Sequence, residues 1–204
     1  ENGGTTVRIS GVVVETTHDG GVLELRRTIT VRTGTGSLEL TDVTRNLGDQ
    51  TSPAPILYHL NFGWPLISDD TVVEIPDHAS AETLFGDPAE LPGGWVQPGR
   101  ERKTPGAVTF EHTLKPGNAW GSVRAASASA EMALTLSWDR TTMPRLVQWI
   151  NCSPGQGVVA FEPGNCGPRG RDHERAAGTL PTLGPGESRT TRLRMDLERL
   201  LPGG

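Results

Sequence analysis

Thr6–Thr33 reads TVRISGVVVETTHDGGVLELRRTITVRT, and it sets the fold class. Val22–Thr33 alternates with the two-residue period of a strand. Val22, Glu24, Arg26 and Thr28 fall on one side, and Leu23, Leu25, Arg27 and Ile29 on the other. Thr6–Thr16 is rich in β-branched residues and partly alternating. Gly20-Gly21 between the two runs is a hairpin signal. Gly34–Gly36 is a second turn signal, leading into Ser37–Asn46. Three consecutive antiparallel strands are therefore expected.

The same signals continue outward. Ile56–Phe62, bounded by Pro53, Pro55 and Gly63, reads as a buried strand, and Thr71–Ile75 as a shorter one. Further runs are Ala107–Leu114, Gly121–Ser129, Glu131–Trp138, Arg145–Asn151, Gly157–Glu162 and Glu187–Leu197, the last compatible with a short helix at its end. Pro76–Pro105 and Pro163–Gly186 are rich in Gly and Pro and read as long connections with little regular structure. Ten or so strands with no strong helix imply an all-β domain, a sandwich or a barrel.

Composition narrows the function. The 204 residues suffice for one domain with a sizeable core. The 26 glycines and 16 prolines agree with many short elements. A net charge of −5 argues against a general nucleic-acid surface. No apolar run approaches the roughly 18 residues of a membrane span, and no charged-then-apolar leader is visible. A hairpin across Ser153–Gly157 would leave Cys152 and Cys166 roughly 25 Å apart, too far for a disulfide. Two free thiols favour a reducing compartment, so a cytoplasmic location is expected.

Two short segments carry the candidate chemistry. In ILYHLNFGWPLI (Ile56–Ile67), strand alternation places Leu57, His59 and Asn61 on one face and Tyr58, Leu60 and Phe62 on the other. One face is apolar and the other turns polar toward the strand end, as at the mouth of a cleft. In VVAFEPGNC (Val158–Cys166), Glu162 ends a β-type run beside Pro163 and Gly164. Burial there would raise its pKa toward the range useful for a general base. The bland alternatives are a core histidine satisfied by a carbonyl, and a carboxylate paired with Arg169 or Arg171. The hairpin register proposed above sets Gln148 opposite Glu162, where it would orient the carboxylate.

In AVTFEHTL (Ala107–Leu114), Glu111 and His112 face opposite ways, so at most one enters a given cleft. His18, His78 and His173 lie in turns, loops or charged runs and read as solvated. Of the five tryptophans, Trp64 and Trp95 are the candidates for stacking on a sugar ring; the others read as core. His59, His112 and Glu162 could together suit zinc or iron, but their spacing does not demand it, and no metal or cofactor is expected. GxSxG, a helix-opening GxGxxG, a P-loop and HExxH are all absent.

TRNLGDQTSPAPILYHLNFGWPLI, TFEHTL and VVAFEPGN together resemble the aldose 1-epimerase (galactose mutarotase-like) superfamily. They are most similar to a bacterial branch that shares LYH-x-NFG-x-PL, FEH and EP-x-NC segments and a following GR, here Gly170-Arg171. The resemblance implies a large antiparallel β-sandwich with an open carbohydrate cleft. It implies that Glu162 is the general base and His59 the acid in interconversion of sugar anomers. It makes Asn61, Glu111, His112, Gln148, Arg171 and Trp64 candidates for gripping a monosaccharide or sugar derivative. The chain corresponds, on this resemblance, to the C-terminal two-thirds of such a domain. YHLNFG departs from the HxYFNL form of true galactose mutarotases, so a binding protein without turnover, or another sugar epimerase or lyase, is the alternative.

Overall fold

The computed structural model describes residues 4–17, 21–99 and 106–201; His18 and Gly20, read above as turn residues, lie outside them. β1 (Thr6–Thr16), β2 (Val22–Arg32) and β3 (Ser37–Asn46) pair consecutively and antiparallel, as the alternation predicts. β4 (Ser52–Pro53), β5 (Leu60–Phe62), β6 (Val72–Glu74) and β7 (His78–Phe85) are short or peripheral. β8 (Ala107–Leu114), β9 (Trp120–Ser127), β10 (Met132–Asp139), β11 (Arg145–Asn151) and β12 (Val158–Gly164) fall where the sequence places strands. α1 (Arg171–Ala176), β13 (Thr182–Leu183) and β14 (Ser188–Arg199) complete the order.

Two large antiparallel sheets stack. The seven-stranded sheet has the order β1-β2-β3-β14-β10-β9-β6, and the five-stranded sheet β5-β12-β11-β8-β7. Their inner faces bury Trp138, Leu136 and Val123 on one side and Phe161, Ile150 and Leu146 on the other. Gly121 lies against the Trp138 ring, where a Cβ would come within 2.6 Å of it. β1 differs from the rest: it is an edge strand exposed along its whole length, with Val7, Ile9, Val12, Val13 and Val14 uncovered. Among the described residues, no helix is long and apolar enough to cross a membrane.

Three sequence expectations change. Pro76–Pro105 contains a full strand, β7, and a short 3-10 turn at Pro88–Glu90. Its sequence HASAETLF lacks apolar alternation because it is an edge strand that pairs only with β8 and breaks register twice. Pro163–Gly186 contains α1 and β13. Ile56–Phe62 is ladder-paired only over Leu60–Phe62, with one further bridge at Leu57. By contrast, Glu187–Leu197 is strand throughout its C-terminal half.

A polar junction joins the sheets at the functional end. Tyr58 is buried beneath the five-stranded sheet, and its hydroxyl donates to Asp42 Oδ2 on β3 at 2.6 Å. The hydroxyl lies 2.7 Å from Thr191 Oγ1 on β14. Arg27 on β2 donates from Nε and Nη2 to the same Asp42 carboxylate at 2.9 and 2.6 Å. Four side chains from four segments thus satisfy one another, with Tyr58, Asp42 and Thr191 buried and Arg27 reaching in from the surface. Removing the Tyr58 hydroxyl leaves the buried Thr191 hydroxyl without this partner and the buried Asp42 carboxylate with one hydrogen bond fewer. Tyr58→Phe is expected to lower stability by about 1–3 kcal/mol, read as a lower urea midpoint at unchanged slope; an unchanged midpoint would show that the junction does not hold the sheets together.

Candidate functional site

β12 is the central element of the site. It pairs on one side with β5 (Phe161 opposite Leu60, Ala160 opposite Asn61) and on the other with β11 (Glu162 opposite Val147). The bridge between Leu57 and Gly164 continues the β5 register, so His59 falls opposite Glu162. Partners in a ladder project to the same face. Continuing through β8 and β7, one transverse row runs His59, Glu162, Val147, Glu111, Glu82 across the outer face of the five-stranded sheet. The neighbouring row contains Asn61, Ala160, Trp149 and Thr109.

The segment Glu162–Asn165 clamps the His59 strand onto this face. The Pro163 carbonyl accepts from Tyr58 N–H at 3.0 Å. Ile56 N–H donates to Asn165 Oδ1 at 2.7 Å, while Asn165 N–H donates to the Ile56 carbonyl at 3.0 Å. Gly164 permits the approach: a Cβ there would lie 2.6 Å from Leu57 Cδ1 and 2.8 Å from the Ile56 carbonyl oxygen. The run EPGN therefore combines one chemical group with three residues that fix where its partner strand lies.

His59 Nε2 lies 3.1 Å from Glu162 Oε1, with the histidine side chain 49% exposed and the glutamate 5%. Burial pushes the Glu162 carboxyl above its usual range, and the adjacent His59 draws it partly back. The Trp149 ring stands 5.7 Å from the His59 ring, tilted against it. Trp149 was read as core from sequence; its parity with Val147 on β11 was the available signal.

The remaining candidates divide. Asn61 and Glu111 share the face of His59 and Glu162. Gln148 does not. The hairpin loop takes in Cys152 and runs Cys152–Gly157, one residue longer than the sequence reading allowed, so Gln148 lies opposite Phe161 and Val147 opposite Glu162. A one-residue slip turns every side chain to the other face. Gln148 is buried in the sandwich, 3.0 Å from His112 Nε2 through Oε1, and donates from Nε2 to the Trp95 carbonyl at 3.1 Å.

His112 lies on that inner side, next to His78 and Trp95, whose rings stand 5.4 and 5.0 Å away. The sheet therefore separates it from His59 and Glu162. His78, read as solvated, is half-buried with its ring 4.5 Å from that of Trp95. Arg171 reaches toward Glu15 of β1 at 3.9 Å, and Arg169 toward Glu82 at 3.7 Å; neither pairs with Glu162. Trp64 lies two residues beyond β5 and is 71% exposed. Neither Cys152 nor Cys166 is in a disulfide. Among the described residues no group of three His, Cys, Asp or Glu side chains is arranged to hold a metal ion.

The sequence profile described as Domain of unknown function (DUF4432) matches residues 1–197. The chain belongs to this family. No curated protein matches it. Among solved structures, the DUF4432 chain is similar to a "putative aldose 1-epimerase" from Klebsiella pneumoniae, at 25% identity and a TM-score of 0.84 over 94% of this chain and 50% of that one. It is also similar to a galactose mutarotase related enzyme from Lactobacillus acidophilus (12% identity, TM-score 0.68, 94% of this chain and 68% of that one). A third is an aldose epimerase homologue from C. elegans (13%, TM-score 0.64, 97% and 69%). The fold is that of the galactose mutarotase-like superfamily, and the chain spans about half the length of the Klebsiella protein.

The two faces of the sheet differ in protonation chemistry. Burial holds His112 neutral, with its pKa lowered to about 4. The unfolded chain takes up this proton near pH 6.5 and the folded chain only near 4. Stability from the neutral His112 is thus complete above pH 6.5 and lost as pH falls through that window, by up to about 1.4 kcal/mol per pH unit. Urea unfolding at pH 7 and pH 5 should show this loss in the wild type and a smaller loss in His112→Phe; equal losses would mean that His112 is not kept neutral by the fold.

Proposed function

We propose that this domain interconverts the α and β anomers of a cyclic aldose, with Glu162 as general base and His59 as general acid. The reading is supported above all by their position on adjacent strands in one transverse row. Ring opening of a hemiacetal takes a proton from the C1 hydroxyl and gives one to the ring oxygen. Both oxygens are bonded to the same carbon. An acid and a base that serve them must therefore sit side by side, as His59 and Glu162 do.

Their environments suit different roles. The enclosed Glu162 carboxylate has an affinity for protons raised by burial, which is what removal of a hydroxyl proton needs. The half-exposed His59 is open to solvent and to an incoming ring. Glu162 removes the C1 hydroxyl proton while His59 protonates the ring oxygen and the C1–O bond of the ring breaks. The open aldehyde rotates about C1–C2. Reversal of both transfers closes the ring on the other face of the carbonyl. Each transfer contributes about 10²–10⁴-fold, and this chemistry calls on no cofactor. Asn61 and Trp149 flank the pair and would hold the ring against it. The superfamily fold and its epimerase-named neighbours favour a sugar in this place.

The test is magnetisation-exchange NMR between anomers across a panel of aldoses, using the intact protein. Glu162→Gln is expected to lower the exchange rate by at least about 10²-fold, and His59→Gln similarly. The wild-type rate should fall as pH drops through a value above the ordinary glutamate range, because the deprotonated carboxylate is the active form. Sugar binding with no Glu162-dependent exchange would identify a non-catalytic carbohydrate-binding protein on this fold.

A further inference from the structure

We infer that Arg145 is a positioning residue that fixes Glu111 as a second sugar-binding carboxylate, and that the resulting site takes a neutral polyhydroxylated ring in preference to a phosphorylated or carboxylated one. This rests on the sugar reading above. Arg145 opens β11 opposite Gly164, one row from Glu162 and on the same face. Its Nη1 donates to Glu111 Oε1 at 3.1 Å, and its Nη2 lies 3.7 Å from Glu174 Oε2.

Glu174 is a fixed anchor. It lies in α1 and is 2% exposed; its Oε1 accepts from Gly167 N–H at 3.2 Å and its Oε2 from Thr179 Oγ1 at 2.7 Å. These donors and Arg145 hold its carboxyl below the ordinary range despite burial. Gly167 closes the arrangement, since a Cβ there would fall 2.7 Å from Arg145 Nη1 and 2.9 Å from Glu174 Oε1. The guanidinium is therefore held from the far side, and Glu111 is held in turn. Arg145 engages Oε1 of Glu111, which leaves Oε2 to accept sugar hydroxyls.

Geometry and charge define the ligand. Glu111 and Glu162 sit on strands either side of β11, about 10 Å apart, with Val147 between them. Trp149, half-buried on the neighbouring row, gives this span its apolar surface above the fully buried Val147, and a carboxylate stands at each edge. That pattern suits one pyranose ring, whose C–H face packs down while its hydroxyls donate sideways. The Arg145 guanidinium is already shared by two carboxylates, Glu111 and Glu174. Glu82 adds a fourth carboxylate at the end of the row beside Glu111, with Arg169 3.7 Å from it, so four carboxylates face two guanidinium groups. An anionic substituent on the ring would meet surplus negative charge here.

The test uses the intact protein with a neutral aldose, its 6-phosphate and its uronate. Binding is measured by calorimetry in the Glu162→Gln background, and turnover by anomer exchange in the otherwise native protein. Arg145→Met is expected to weaken neutral-sugar binding and raise KM by about ten-fold or more, with kcat changed much less. Arg145→Lys should recover part of the loss. Glu111→Gln, at a half-exposed position that spares the Glu174 anchor, should give the same KM defect, and the double variant should be no worse than either single one.

A preference for the phosphate or uronate, or an unchanged KM and affinity in both Arg145→Met and Glu111→Gln, would overturn the inference. If sugar binding depends on Arg145 while Glu162→Gln leaves exchange unaltered, the catalytic reading fails and this one stands. If exchange depends on Glu162 but is indifferent to Arg145 and Glu111, the reverse holds. A protein that neither binds nor turns over any sugar overturns both.

Discussion

The site depends on how firmly Tyr58 is held between the two sheets. Tyr58 is the residue before His59, so whatever fixes one fixes the face that the other presents. Its hydroxyl is bound to Asp42 and faces Thr191, two residues on the opposite sheet, and Asp42 is in turn gripped by Arg27. Its backbone N–H donates to Pro163, the residue after Glu162. A register slip of one residue in this segment would bury the histidine and expel the tyrosine. The polar junction makes such a slip costly, because each buried group would lose its partner.

With that segment fixed, β-sheet geometry assembles the row. His59, Glu162, Val147, Glu111 and Glu82 come from five different parts of the chain and meet because their strands lie side by side. No loop closure is needed to bring acid and base together; the ladder spacing does it. The same sheet sends His112 and Gln148 into the sandwich, where burial keeps the histidine neutral and the glutamine packs it against Trp95 and His78. One face of β8 and β11 therefore maintains structure while the other presents chemical groups.

The strands legible in the sequence were those with local alternation: β1 to β3, β8 to β12 and β14. β7 was not legible, because an edge strand need not bury a face and HASAETLF carries no apolar period. His59, Asn61 and Glu162 were placeable because parity along a single strand is a local property. Gln148 was misplaced by one residue of loop, a quantity set by where Cys152 packs rather than by its own type; its sulfur lies 3.2 Å from the Pro98 carbonyl oxygen. Arg145 was invisible as a site residue because its meaning rests on Glu174 in a segment that read as mere connection. Arg171 stood out as part of a familiar dipeptide, yet its side chain turns toward β1.

The central claim is that His59 and Glu162 act on the two oxygens of one anomeric carbon. A crystal structure of the intact Glu162→Gln protein bound to an aldose tests it most directly. The expected result places the C1 hydroxyl on residue 162, the ring oxygen on His59 Nε2 and the ring against Trp149. A sugar bound away from the outer face of the five-stranded sheet, or bound there with C1 remote from both residues, would contradict it.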